Sequence, residues 1–350
     1  MGREPRFVIQ SCHPKIEARK KDRRQMSHHH SFIPVGSLSV AALLMMASPS
    51  AAQQADQKLF AQHIAKWGSM QKVGGREFKL LIDPKRFSDG GKKDRKKKYK
   101  IIWKKLKTVA KDQGFKVKGR KKKKYKESKR TREYFDTADF QLRKKGYVVR
   151  ISTKYKKKEP QHPFTLTVKE GSRRDFKRVL NSTLSFSGAH DGKTEIEENV
   201  SFGPDGRLRS SLEKSKKIKL EPEELGKMTL GDFGKVVPRL LKLGLPAETK
   251  LIRHTAYSMK IKLGKLKLGD GEKAKLDLEV WLKNRGELPF VGEISYTVDT
   301  EDYAGMAGVQ AKSEAFMKTV IGKLGKEIGF QNAAKWGGSK TRMLLNLPVN

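Results

Sequence analysis

The chain has 350 residues, a formal net charge of +40 and one cysteine, Cys12, which excludes an intrachain disulfide and a cysteine metal site. A hydrophobic fraction of 36%, with Trp, Phe and β-branched residues throughout, argues for a folded domain and against a disordered chain. The charged fraction of 33% and the positive excess favour a polyanionic partner, such as nucleic acid, polyphosphate, an anionic surface or a phosphorylated ligand, over the plainer reading of a heavily solvated surface.

Residues 1–52 read as a targeting segment. A basic start ending in Lys20-Lys-Asp-Arg-Arg24 is followed by a mostly apolar stretch from Ile33 to Ala47 and by small residues around Ser50 and Ala52. That is the layout of a secretory signal, and the apolar stretch is too short for a spanning helix. Arg23-Arg24 resembles an incomplete twin-arginine signal. The expectation is a periplasmic or secreted protein whose mature chain has no cysteine and no membrane span. Residues 53–73 form a helix and linker: Leu59, Phe60, His63, Ile64 and Trp67 recur at helical spacing, predicting a helix over 56–67 that Gly74-Gly75 separates from the next strand.

The strand predicted from Arg76 to Asp83 places Glu77 and Lys79 on one face and Phe78 and Leu80 on the other. Such a charged face points either to solvent or into a barrel holding a charged ligand. Residues 92–130 are more than half Lys and Arg; within them Tyr99, Ile102, Trp103, Leu106, Val109 and Ala110 make one helical stripe, ended by Gly114. The lysines around that stripe read either as an electrostatic collector or as a solvated face. Next come a strand at Tyr134-Phe135, a polar turn at Asp136–Asp139, an apolar link, Gly146 and a strand in which Val148, Arg150 and Ser152 share a face.

Further strands are predicted at Phe164–Lys169, from Glu195 to Phe202, and at Lys250–Lys262, Ala274–Leu282 and Phe290–Val298. A helix over 230–243 is interrupted by Pro238, and another begins at Glu314. Residues 74–346 therefore read as one α+β domain dominated by an antiparallel sheet or barrel of about eight strands. No phosphate loop, paired-histidine zinc helix or serine nucleophile elbow is present.

The order of elements resembles the CYTH domain of the triphosphate tunnel metalloenzymes, a family of inorganic triphosphatases, thiamine triphosphatases and class IV adenylate cyclases. Glu77-Phe-Lys79 is similar to the end of the family's Glu-x-Glu-x-Lys strand. Tyr134-Phe-Asp136-Thr137, with Leu142, Gly146 and Arg150, resembles its central hairpin. Leu166-Thr-Val-Lys169 resembles its Thr-Leu-Lys strand, Lys193-Thr-Glu195-Ile-Glu197 its Arg-x-Glu-x-Glu strand, and Ser339-Lys340 its closing Ser-Lys. Arg253, Asp277, Glu279 and Glu293 stand where later family charges would fall.

The resemblance implies a closed antiparallel β-barrel, a tunnel with flanking helices, that binds triphosphate, polyphosphate or a nucleotide. It implies Lys79, Arg150, Lys169, Arg253 and Lys340 as phosphate ligands and Glu77 and Glu195 as catalytic carboxylates. Glu77, Glu197, Asp277, Glu279 and Glu293 would be ligands of Mg²⁺ or Mn²⁺ in a metal-dependent phosphohydrolase. Three positions depart from the family pattern, with Gly75, Ser152 and Ser295 in place of Glu, Arg and Glu. Lost carboxylates weaken metal binding before phosphate binding, so the alternative is a non-catalytic polyanion-binding protein.

Overall fold

The computed structural model describes residues 58–347, apart from 69, 88–91, 120–125, 188–191, 204, 270, 285–286, 301, 303 and 330–338. Residues 1–52, where a targeting segment is expected, Cys12 among them, and the basic run 120–124 lie outside the described residues. No described helix is long and apolar enough to cross a membrane.

The first helix, α1 (Lys58–Trp67), leads into strand β1 (Gly75–Ile82) and the lysine-rich helix α2 (Lys92–Asp112). The short β2 (Val117–Gly119) precedes β3 (Ser128–Asp136), the one-turn helix α3 (Gln141–Lys144), β4 (Tyr147–Lys156) and β5 (Glu159–Ser172). After α4 (Phe176–Leu180) come β6 (Lys193–Phe202) and β7 (Leu208–Leu220). Then follow α5 (Leu230–Val236) with a 3₁₀ turn from Pro238, β8 (Ile252–Gly269), β9 (Glu272–Leu282) and β10 (Pro289–Asp299). The chain continues through α6 (Ala307–Phe316) and, after a π-helical turn, α7 (Gly322–Ile328), and later α8 (Lys340–Leu344).

Among the described residues nine strands close into a barrel, in the order β8-β3-β4-β5-β7-β6-β1-β10-β9 and back to β8, with β2 attached to β8 outside the ring. The expectation of about eight antiparallel strands is corrected on both counts: there are nine, and β1 pairs with β6 in parallel while the other neighbours are antiparallel. The two corrections are one fact. Directions cannot alternate all the way round an odd ring, so at least one seam must be parallel. The extra strand is β7, whose sequence LRSSLEKSKKIKL carries so few apolar residues that alternation alone does not reveal it.

Apolar side chains lie outside the ring, between strands and covering helices. Phe78, Leu80 and Ile82 of β1, Leu276 and Leu278 of β9 and Ile294 of β10 share a core with Trp103 and Leu106 of α2 and Leu324 of α7. Phe135, Val149, Leu166 and Val168 pack instead with Leu142 of α3 and Phe233 of α5, and Phe60 of α1 packs with Phe176, Ile196 and Leu212. The charged faces left open in the sequence therefore point inward, because helices cover the apolar ones.

The hairpin linking β3 to β4 is built by its polar turn. The Asp136 carboxylate accepts the backbone N–H of Thr137 (2.8 Å), Leu142 (2.9 Å) and Arg143 (3.1 Å), and the Thr137 hydroxyl accepts that of Gln141 (2.8 Å). These acceptors fold the expected link into α3. Gly146 follows at φ 86°, where a Cβ would lie 2.7 Å from the Gly171 carbonyl oxygen, so glycine is required twice over.

Candidate functional site

Residues facing each other across neighbouring strands share a face, and the register therefore assembles the inner wall. Tyr134 stands opposite Arg150, Arg150 opposite Thr167, and Thr167 opposite Lys217. Lys169, Ser215 and Glu195 form another row, and Glu213, Glu197 and Gly75 the next. Lys79 faces Ser295, which faces Asp277, while Glu293 faces Glu279, which faces Lys260. Nine of the residues singled out in the sequence thus share one wall: Glu77, Lys79, Arg150, Lys169, Glu195, Glu197, Asp277, Glu279 and Glu293. Lys340 joins them from α8, donating to both Glu279 and Glu293 (2.7 Å to the latter).

Arg253 does not join them. It pairs with Phe135, whose ring lies in the outer core, and its own side chain is 58% exposed beside Glu133 on the outside. Strand parity is the reason: Ser258 and Lys260 fix the even positions of β8 inward, which turns position 253 out.

The inward cations that the sequence did not single out include Arg130 and Arg132 on β3, Lys217 on β7 and Lys260 on β8, and Glu213 on β7 joins them. Arg130, Arg132 and Tyr134 do alternate into the hairpin, and that was a usable signal. It was hidden because Arg130 closes a run in which almost every residue is basic.

Charge is arranged unevenly around the wall. Lys79 bonds Glu77 (2.7 Å) and Asn199, Lys169 bonds Glu213 (2.7 Å), and Glu195 is held by Lys217 and by Lys193 (2.9 Å). Arg132 bonds Glu279 (2.7 Å) and Ser258 (3.1 Å), and Lys260 bonds Asp277 (2.7 Å). Burial pushes the Glu213 carboxyl up, but Lys169 and Lys79 outweigh it and bring it down to about 2. Burial acts likewise on Glu279 and is overcome by Arg132 and Lys340, which hold it well below the carboxylate range.

Two arginines stand apart from this pairing. Among the described residues Arg130 has no carboxylate partner, and burial with the like charge of Arg132 holds it below the usual guanidinium range. Arg150 makes one long bond to the Thr167 hydroxyl (3.4 Å), and its buried Nε has no acceptor. Opposite Arg150 stands Tyr134, whose phenol burial would raise but Arg150 and Arg132 together lower. Three guanidinium groups on two adjacent strands, two without an acid, make a site for an anion with several oxygens.

Solved structures similar to this chain include a candidate adenylyl cyclase from Hippeastrum, said to have a dominant triphosphatase activity, at 13% identity and a TM-score of 0.37 over 79% of this chain and 98% of that one. A candidate adenylate cyclase from Bacillus halodurans is 16% identical, with a TM-score of 0.34 over 76% of this chain and 100% of that one. A protein from Pyrococcus horikoshii OT3 is 13% identical, with a TM-score of 0.28 over 73% and 91%. No protein-family model matches the sequence, and no curated protein matches it.

Among the described residues the donor set of this barrel does not gather into a metal cage. No three carboxylate, histidine or cysteine side chains among the described residues are grouped to hold an ion. Glu279 and Glu293, which face each other across β9 and β10, share the Lys340 ammonium between them. The positive charge that would join those two carboxylates is supplied by the chain itself.

Proposed function

We propose that the bore binds a linear phosphate anion of the triphosphate or polyphosphate type, end-on, through Arg130 and Arg150 with Lys79, Lys169 and Lys217 beside them. The observation that carries this reading is the pair of inward arginines without an acidic partner, one of them destabilised by its cationic neighbours. An anion with several oxygens relieves that repulsion, and the guanidinium forks match phosphate oxygens. Binding of this kind needs no metal. Calorimetric titration of the full chain with tripolyphosphate in EDTA is the test, with binding that weakens steeply as salt rises as the expected result. Absence of binding until Mg²⁺ or Mn²⁺ is added would overturn it.

Metal-dependent phosphoanhydride hydrolysis is the second reading. It is favoured by Glu197 and Glu213, which face each other across β6 and β7 in the same wall. Phosphate released from tripolyphosphate with Mg²⁺ or Mn²⁺, and lost in Glu197→Gln, would establish it. The targeting segment completes the proposal: the protein acts outside the cytoplasm, in the periplasm or beyond. Fractionation of cells expressing the full chain, with N-terminal sequencing of the product, checks this.

A further inference from the structure

The wall does not stop where the ring stops. The end of the barrel formed by the start of β3 and the end of β4 also holds the end of β8 and the start of β9, since β8 runs antiparallel to both β3 and β9. There the β8–β9 hairpin runs on past Lys275, the last residue of β9 paired with β10, and has β2 on its other side. Together β2, β8 and β9 form a projecting three-stranded apron. Its outer face is packed. Trp103 of α2 covers Gly119 and Gly264, each too close to the indole for a Cβ (2.9 Å). Its inner face continues the alternation of Lys260 and Asp277 and carries Lys118, Lys262, Lys265, Lys267, Lys273 and Lys275, all exposed.

These lysines are set directly against one another. Lys118 pairs with Lys265, Lys265 with Lys275, and Lys267 with Lys273. Like charges directly opposite in a sheet destabilise it. Among the described residues only Lys275 has a carboxylate partner, Asp299 at 2.9 Å. Rows about 5 Å apart across strands and roughly 7 Å apart along them gather these lysines into one dense patch of positive charge. The patch adjoins the end of the bore where Arg130 lies: Arg130 faces Ser258, which faces Trp281, and the next rows, Lys260 with Glu279 and Lys262 with Asp277, lead directly to Lys265 and Lys275.

We infer that the apron is a second anion site, which holds the trailing phosphates of a long linear polyphosphate whose terminus lies in the bore. This rests on the anion-binding reading above and gives it a substrate class: long chains over triphosphate. Among the described residues the inner face of the apron carries no aromatic side chain on which bases could stack, so inorganic polyphosphate fits it better than a single-stranded nucleic acid.

The test compares the full chain with a triple variant, Lys265→Gln, Lys267→Gln and Lys273→Gln, all three on the exposed face and therefore tolerated by the fold. Thermal unfolding serves as the control for folding. Ligands are tripolyphosphate, polyphosphate of tens of units and an oligothymidylate of matching charge. The expected result is a loss of about tenfold or more in long-chain affinity and a salt slope shallower by about 2, near 0.7 for each single-strand phosphate no longer neutralised. Tripolyphosphate affinity should change less than twofold. Equal losses for both phosphate ligands, or none for either, overturn the apron as a separate site. Oligothymidylate bound as tightly as polyphosphate overturns the assignment of the ligand. If the unaltered chain binds no phosphate ligand at all, it is the bore reading that fails.

Discussion

Arg130 is poised so that its removal should separate function from stability. It lies beside Arg132 and near Arg150 without a carboxylate of its own, so Arg130→Gln relieves repulsion while deleting a phosphate ligand. The expected outcome is a 10- to 100-fold (roughly 1.4–2.8 kcal/mol) weaker tripolyphosphate affinity with an unchanged or higher melting temperature. A melting temperature that falls with the affinity would mean that the side chain is structural. Glu213 makes the opposite case. Its carboxyl is lowered from the ordinary 4.5 to about 2, so the stability it contributes is present above pH 4.5 and drains away as pH falls toward 2. Urea melts of the wild type and Glu213→Gln across that interval should therefore converge at the acid end and diverge toward neutrality.

At the scale of elements, the seam between β1 and β6 is fastened from outside by a buried network. Arg76, fully buried, donates to Glu198 of β6 (2.7 Å), to Glu314 of α6 (2.5 Å) and to Gln310 (3.3 Å). His63 of α1 reaches the same Glu198 (2.8 Å) and Ser210 of β7 (3.1 Å). One guanidinium thus joins two strands and a helix, and through Glu198 it reaches α1. Arg76→Met leaves Glu198 and Glu314 buried without their shared cation, and a loss of about 3–5 kcal/mol in denaturant unfolding is expected. This network was not legible in the sequence, because Arg76 sits in a strand whose charges otherwise point inward. By contrast, the two strands, polar turn and glycine of the β3–β4 hairpin were legible, since Asp136, Thr137 and Gly146 act on backbone groups a few residues away, although the link between turn and glycine is a helical turn. Parity within single strands was equally readable. The relation between strands was not: Arg253 was assigned inward because nothing local revealed which parity of β8 the register would select.

At the scale of the molecule, the barrel departs from the usual economy of a small β-protein. Its hydrophobic burial lies between ring and helices, and its centre is given over to charge. The composition reflects this inversion: a 36% hydrophobic content suffices because one face of each strand needs no apolar residue. What composition could not disclose was the ninth strand, and with it the parallel seam, since β7 carries only four apolar residues, Leu208, Leu212, Ile218 and Leu220, among nine that are polar or charged.

That seam also sets the order in which the molecule can assemble. Most ring neighbours are sequential or nearly so, but β1 bonds only to β6 and β10. During synthesis β1 emerges first and waits for its last partner through roughly 200 further residues, on the order of ten seconds or more at ribosomal speed. Until β6 emerges Phe78, Leu80 and Ile82 have no partner strand beside them, and until β1 has docked on both, β6 and β10 present open edges. Closure is thus a late, long-range event, and the nascent chain is most exposed to misassociation just before its first strand finds its place.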